Sequence, residues 1–242
     1  VVTHGNGPQV GALLIQHEAG RDRVPPMPLD VCGAESQGQI GYMLQQSIGR
    51  VLARRLISRP VVTLVTQMAV SPNDPGFGNP TKPVGPFYDG DYAERRMNET
   101  CEKWIEDAGR GWRRVVPSPD PIRIVERSAI LSLIRAGAVV IANGGGGIPV
   151  VEKNGFCEGV EAVIDKDLGS ERLARDVNAD ILLILTDVSH AAIYYGTPRQ
   201  ADLHAVKLDD LVRYQKEGHF KAGSMGTKIE ASRRFIGQGG GA

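Results

Sequence analysis

Segments that read as buried strands alternate with segments of helical period along most of the chain. VVTLVTQ (61–67), AVVIAN (138–143), VEAVI (160–164) and DILLILTD (180–187) are short, β-branched and apolar. Between and around them lie helical patterns. Within 36–57, Ile40, Leu44, Ile48, Val51, Leu52 and Leu56 recur at three- and four-residue spacing. Residues 10–17, SAILSLIRAG, SERLARDVNA, DDLVRYQKEG and TKIEASRRFI supply further helices, and AAIYY another strand. This alternation predicts an α/β fold whose mainly parallel sheet is covered on both faces. In such sheets ligands sit at the carboxyl ends of the strands. Three glycine-rich or polar turns fall at such ends: HGNG, NGGGG and LTDV.

One stretch breaks the alternation. SPNDPGFGNPTKPVGPFYDG (71–90) is dense in proline and glycine, so it is neither a regular helix nor a central strand. It carries Phe77, Phe87 and Tyr88, which a polar linker would lack. The expectation is an ordered excursion over about 70–118, ending at VVPSPDP, of the kind that serves as a lid or binding loop.

Bulk properties narrow the function. The 242 residues carry 28 basic and 28 acidic side chains. A net charge of zero gives no reason to expect a nucleic-acid partner. No apolar run approaches the roughly 18 residues of a membrane span. Cys32, Cys101 and Cys157 are far apart and form no CxxC pair. Their spacing supports neither a disulfide framework nor a metal knot and fits a reducing cytoplasm.

Five stretches carry the chemistry. In HGNGPQVG (4–11), Gly5 and Gly7 flank Asn6, and Pro8 can occupy a first helical turn. The turn either presents backbone amides and a helix N-terminus to an anion or simply reverses the chain. In ANGGGGIPV (142–150), four consecutive glycines carry a large ordering cost and no side chains to pack. They make sense where a ligand must touch the backbone. VIDKDLGSERLA (163–174) sets Asp165, Lys166 and Asp167 between a strand and a helix. The bland reading makes Asp167 the helix cap and leaves Lys166 in water. NPTKPVGP (79–86) mounts Lys82 among prolines, which lowers the entropy lost on reaching a phosphate. HFKAGSMGTKIEAS (219–232) places Lys228 in a first helical turn, where it opposes the helix dipole unless an anion lies between them.

Taken in order, these stretches resemble the carbamate kinases of the amino acid kinase family. The resemblance also runs through MPLD (27–30), QGQIGY, EDAGRGWRRVVPSPDP (106–121), GVEAVIDKD and YYGTP (194–198). It covers essentially the whole chain. It implies an αβα sandwich with an open, mainly parallel sheet: one amino-acid-kinase domain over 1–242, with 70–118 inserted as a protruding lid. It implies reversible phosphoryl transfer from ATP to carbamate, giving ADP and carbamoyl phosphate. Mg²⁺, a homodimer, a cytoplasmic location and a place at the end of arginine or agmatine breakdown come with it. For the catalytic residues it implies Lys82 approaching from the lid, Lys166 and Lys228 by the phosphates, and Asp167 orienting lysines and helping to place the metal. Gly5, Asn6 and Gly7, with Gly144, Gly145 and Gly146, would serve carbamate and the transferred group. Thr186, Asp187, Val188, Tyr195, Gly223, Ser224 and Met225 would line the nucleotide.

Three local departures stand out. Thr227 replaces a proline of the family pattern. Gly169 replaces an alanine, which predicts a mild weakening of its helix. SHAAIYY departs from the family near residue 189 and puts the adenine contacts in doubt. Family members also begin with a strand and a GGNA loop ahead of the strand leading into HGNG, and continue past FIGQGGGA. The expectation is therefore a fragment of marginal stability with little or no kinase activity of its own. Two other readings share these residues. One is a related kinase with a bulkier acceptor such as acetylglutamate, glutamate, aspartate or UMP. The other is a truncated homologue that binds nucleotide without turnover.

Overall fold

The computed structural model describes residues 1–100, 102–107, 109–221 and 225–241. Contacts divide the chain into two compact units, Val1–Gly169 and Ser170–Ala242.

The first unit is α/β. Val2 forms a parallel bridge to Ile141. Helix α1 (Gly7–Gly20) follows the HGNG turn and takes Pro8 into its first turn, where a missing N–H leaves no bond unmade. Helix α2 (Leu29–Arg54) starts seven residues before the expected 36, directly after Pro28 in extended conformation. The early start adds Leu29 and Cys32 to the buried face that Ser36 and Gln37 continue. The predicted strand VVTLVTQ is two strands, β1 (Val61–Thr63) and β2 (Gln67–Ala69). The excursion holds β3 (Lys82–Tyr88), α3 (Gly90–Glu99), β4 (Lys103–Glu106) and β5 (Trp112–Val116). Then come β6 (Arg123–Ile124), α4 (Arg127–Arg135), β7 (Val139–Ile141), β8 (Ile148–Lys153), β9 (Phe156–Gly159) and the start of α5 (Lys166–Asp176).

Parallel pairing forms the centre. β1 runs parallel to β7, with Val61 opposite Val139, and β2 runs parallel to β8, with Gln67 opposite Ile148. Between these pairings the chain steps from one partner to the other over residues 64–66. Gln37 bridges the step. Its Oε1 accepts from Thr66 N at 2.7 Å, and its Nε2 donates to Thr66 O at 3.2 Å and Gly144 O at 2.9 Å. A buried amide is tolerable here because its hydrogen-bonding groups are satisfied. Helix α2 packs on β1, β7 and β8, and α4 on β7. Gly41 lets α2 approach closely, since a Cβ there would overlap the Thr63 side chain. Met68, Ile124, Ile130, Val140 and Ile141 are almost wholly buried around this sheet.

Antiparallel pairing occupies the margins. β6 joins β2 and β9 joins β8. The β8–β9 hairpin was not foreseen, although its turn is Asn154-Gly155 with φ of 53° and 82°. Asn-Gly between alternating apolar residues is a strong hairpin signal, because both turn positions need positive φ. The excursion forms its own antiparallel sheet in the order β3–β5–β4. Tyr88 and Tyr92 stack at 4.3 Å, and Trp104 meets both edge-on. VEAVI is not a ladder strand. Ala162 and Ile164 are buried, and Val163 N donates to Pro117 O at 3.0 Å, so this segment is tied by single bonds.

In the second unit, β10 (Ala191–Ile193) pairs antiparallel with β11 (Ala201–Leu203). Helices α6 (Leu208–Lys216) and α7 (Met225–Ile236) pack together. Glu230 accepts from Arg233, Arg234 and Gln215, the last linking α7 to α6 at 3.0 Å. DILLILTD departs from expectation. It carries one parallel bridge, Ile181 to Gly241, and Ile181, Leu183 and Leu185 stand exposed.

Replacing Gln37 by leucine leaves the Thr66 amide without its buried acceptor. We expect a loss of about 1–3 kcal/mol, measured as a shift of the urea midpoint with unchanged slope. A pH effect follows from Glu230. Burial raises its carboxyl pKa, but hydrogen bonds from Arg233, Arg234 and Gln215 outweigh burial and bring it down to about 2 from 4.5. The folded value lies below the unfolded one, so this contribution is whole above pH 4.5 and is lost as pH falls towards 2. Melting temperature against pH should fall less steeply over that window in Glu230→Gln.

Candidate active site

The start of α5 gathers two lysines and two carboxylates of the first unit. Asp165 precedes the helix, and its Oδ1 accepts from Asp167 N at 2.9 Å. Asp165 is therefore the cap, and Asp167 lies within the first turn. The bland reading of Asp167 as the cap is corrected by two residues. The other Asp165 oxygen accepts from Lys82 Nζ at 2.6 Å. Lys166 Nζ donates to Asp167 Oδ1 at 2.9 Å. Lys82 arrives on β3, whose first residue it is. So two lysines 84 positions apart share one pair of carboxylates. Both carboxylates are buried, while Lys166 is exposed.

The electrostatics are consistent with this pairing. Burial pushes the Asp165 carboxyl up. The hydrogen bond and charge of Lys82, with the backbone amides of Asp167 and Leu168, outweigh burial and hold it below the usual carboxylate range. Asp165 is thus ionised at neutral pH and holds the Lys82 ammonium in place.

The HGNG turn lies against this cluster. A Cβ on Gly5 would come within 3.2 Å of Lys166 Cδ. Asn6 Nδ2 donates to Ser36 Oγ at 2.9 Å, and Ser36 Oγ donates to Gly33 O at 2.7 Å. Gly7 opens α1 and is exposed. His4 Nδ1 lies 2.9 Å from Gly5 O. Burial lowers the His4 pKa against the raising effect of that bond.

The four glycines do something other than expected. Gly145 N donates to His4 O at 2.7 Å, Gly146 N to Asn143 O at 3.0 Å and Gly147 N to Gly144 O at 3.1 Å. Three of the four amides are therefore engaged by the chain itself. A Cβ on Gly144 would overlap the His4 ring, and one on Gly145 would overlap Asn6. On Gly146 it would meet Ile164 O at 2.9 Å, with φ already at 100°. The close approach that glycine permits is made to the HGNG turn and to residue 164. Gly169 is likewise more than a weak helix former, because a Cβ there would lie 2.7 Å from Gly146 Cα. Asn143, at the mouth of the turn, has φ 58° and is fully buried. Its side-chain amide has no hydrogen-bond partner among the described residues.

The expected residues of the second unit are described separately. Thr186 Oγ1 donates to Asp187 Oδ1 at 3.2 Å, and both residues are exposed. Val188 is half-buried and Tyr195 exposed. Met225 opens α7 and Lys228 lies in its first turn, half-buried. Gly223 and Ser224 lie outside the described residues. Asp165, Ser36, Gln37 and Asn143 were absent from the expected site. QGQIGY flagged the neighbourhood of Gln37, whereas Asp165 was visible only as a neighbour of Lys166.

Comparison with known proteins shows the family. The profile of the Amino acid kinase family matches residues 1–241. A carbamate kinase of Pyrococcus horikoshii is 57% identical over 99% of this chain and 77% of its own length. One from Trichomonas vaginalis is 48% identical over 98% of this chain and 76% of its own length. The solved structure of carbamate kinase from Giardia lamblia bound to AMP-PNP superposes with a TM-score of 0.93 at 48% identity, covering 99% of this chain and 76% of that one. The chain belongs to the amino acid kinase family. Within it, these relatives set it among the carbamate kinases.

Substitution of Lys82 by methionine removes the ammonium paired with the buried Asp165. A double-mutant cycle with Asp165→Asn should return a coupling of about 1–3 kcal/mol, read from chemical unfolding of all four proteins. Additive losses would show that the pair does not act as a unit.

Proposed function

We propose that this chain catalyses reversible phosphoryl transfer between ATP and carbamate, with ADP and carbamoyl phosphate on the other side. The observation that carries this reading is the convergence of Lys82 and Lys166 on the Asp165–Asp167 pair, beside the HGNG turn. Phosphoryl transfer calls for little covalent work by the protein and depends on positioning and charge neutralisation. Lys166 is exposed enough to meet a phosphoryl oxygen and is steered by Asp167. Lys82 is held by an ionised Asp165, so it meets its target with little entropy left to lose. Gly5, Asn6 and Gly7 present the N-terminus of α1, whose dipole favours the anionic carbamate and the group in flight. Gly144, Gly145 and Gly146 back that turn and fix its position.

The remaining assignments are part of the same proposal. Residues 70–118 act as a lid that delivers Lys82 to the substrate side. Thr186, Asp187, Val188, Tyr195 and Met225, with Gly223 and Ser224, contact the nucleotide, and Lys228 meets its phosphates. The Giardia relative bound to AMP-PNP supports nucleotide use. The carboxylate of Asp167 is the hard oxygen donor that Mg²⁺ takes, usually with substrate phosphates completing its shell. Asp167 would hold the ion, which when bound neutralises charge on the phosphate oxygens. Tyr42, Met43 and Val51 expose apolar area along α2, which supports a homodimer. Among the described residues no helix is long and apolar enough to cross a membrane, which is compatible with work in the cytoplasm.

ATP formation from carbamoyl phosphate and ADP tests the reading, on the protein as its gene encodes it. Lys166→Ala should lower turnover by about 10²–10³, the usual cost of one preorganised donor. Near-normal turnover in that variant would refute the assignment.

A further inference from the structure

Helices α1 and α2 carry a second chemistry-bearing cluster, built from residues other than the lysine–carboxylate set. His17 of α1 faces Cys32 and Glu35 of α2. Each offers one ligand atom, and the three atoms lie within 4.8 Å of one another. His17 Nε2 and Glu35 Oε2 are 3.2 Å apart. Cys32 and Glu35 are three positions apart and so share a helix face. We propose that His17, Cys32 and Glu35 form a binding site for a borderline divalent metal of the zinc class, clamping α1 to α2.

The donor set selects the ion. One imidazole nitrogen, one thiolate sulfur and one carboxylate oxygen suit Zn²⁺ or Co²⁺, whereas Mg²⁺ and Ca²⁺ take oxygen donors. One of the three separations is already close to what such an ion needs, and the thiol lies within 4.8 Å of both other ligand atoms. Ligands about 2.0–2.1 Å from a tetrahedral centre are about 3.3 Å from each other, which is nearly the present His17–Glu35 separation. An ion entering there exchanges that direct bond for two metal bonds and releases the thiol proton to solvent. Cys32 is wholly buried beneath, while Glu35 reaches solvent. The fourth position is therefore on the open side, where water completes the shell.

The clamp has a structural consequence for the proposed active site. Glu35 is followed directly by Ser36, which receives Asn6 of the HGNG turn. Fixing α1 against α2 at His17 fixes both partners of that bond. Cysteine spacing could not reveal the site, because one ligand comes from a different helix.

Cobalt titration of metal-stripped protein tests the proposal, in a Cys101→Ser/Cys157→Ser background so that Cys32 is the only thiol. We expect one Co²⁺ per chain, a thiolate-to-cobalt charge-transfer band and its displacement by Zn²⁺. Cys32→Ser should abolish the band. His17→Ala and Glu35→Gln should each weaken binding at least about tenfold, with circular dichroism unchanged before metal is added. Should Cys32→Ser fail to fold, the other two variants decide, since their side chains lie nearer the surface. A folded parent with no such band, or a band indifferent to His17→Ala, overturns the site and leaves the His17–Glu35 contact as a plain hydrogen bond between helices.

Discussion

A carboxylate removed from water must find partners, and Asp165 finds two kinds at once. It caps α5 through the amide of Asp167 and takes the Lys82 ammonium of β3. One partner is local and the other comes from a distant part of the chain. The carboxylate therefore ties the excursion's first strand to the helix that starts with Lys166. Its depressed pKa keeps the charge that makes the tie. The position of the Lys82 ammonium is set by this ion pair, because a lysine left to itself samples many rotamers.

The glycine turns are the other half of that arrangement. NGGGG looks like a phosphate cradle when considered alone. In the folded chain its amides turn inward, and its missing side chains make room for His4, Asn6 and residue 164. The turn facing outward is HGNG, where Gly5 touches the Lys166 stem and Gly7 opens α1. One glycine run thus serves as the bed on which the other is laid. Gln37 locks the bed from behind by bonding Gly144 and Thr66 together.

Much of this was legible in the residues. Helices α4, α6 and α7 were expected nearly where they stand, because their apolar spacing is regular. Lys82 and Lys166 were singled out by their settings, and the motif set pointed to the family that the comparisons show. The misses have physical causes. DILLILTD has the composition of a buried strand, yet apolar alternation describes a face and says nothing of what lies beside it. Ile181, Leu183 and Leu185 accordingly stand exposed. VEAVI reads as a sheet strand because burial and ladder pairing leave the same composition. The β8–β9 hairpin is announced by Asn154-Gly155, a signal the strand-and-helix alternation does not contain.

What the sequence by itself determined is local: where glycine permits a turn, where proline forbids a helix, which faces are apolar, and which lysines are mounted rather than loose. These follow from backbone sterics and side-chain periodicity, which act over a few residues. What only the tertiary structure decided is who meets whom. Asp165 takes Lys82 from 83 positions away, and Gly144 and Gly145 receive His4 and Asn6 from across the chain. His17 comes to face Cys32 and Glu35. Those pairings depend on how helices and strands pack, and packing is a property of the whole chain that no short stretch of it contains.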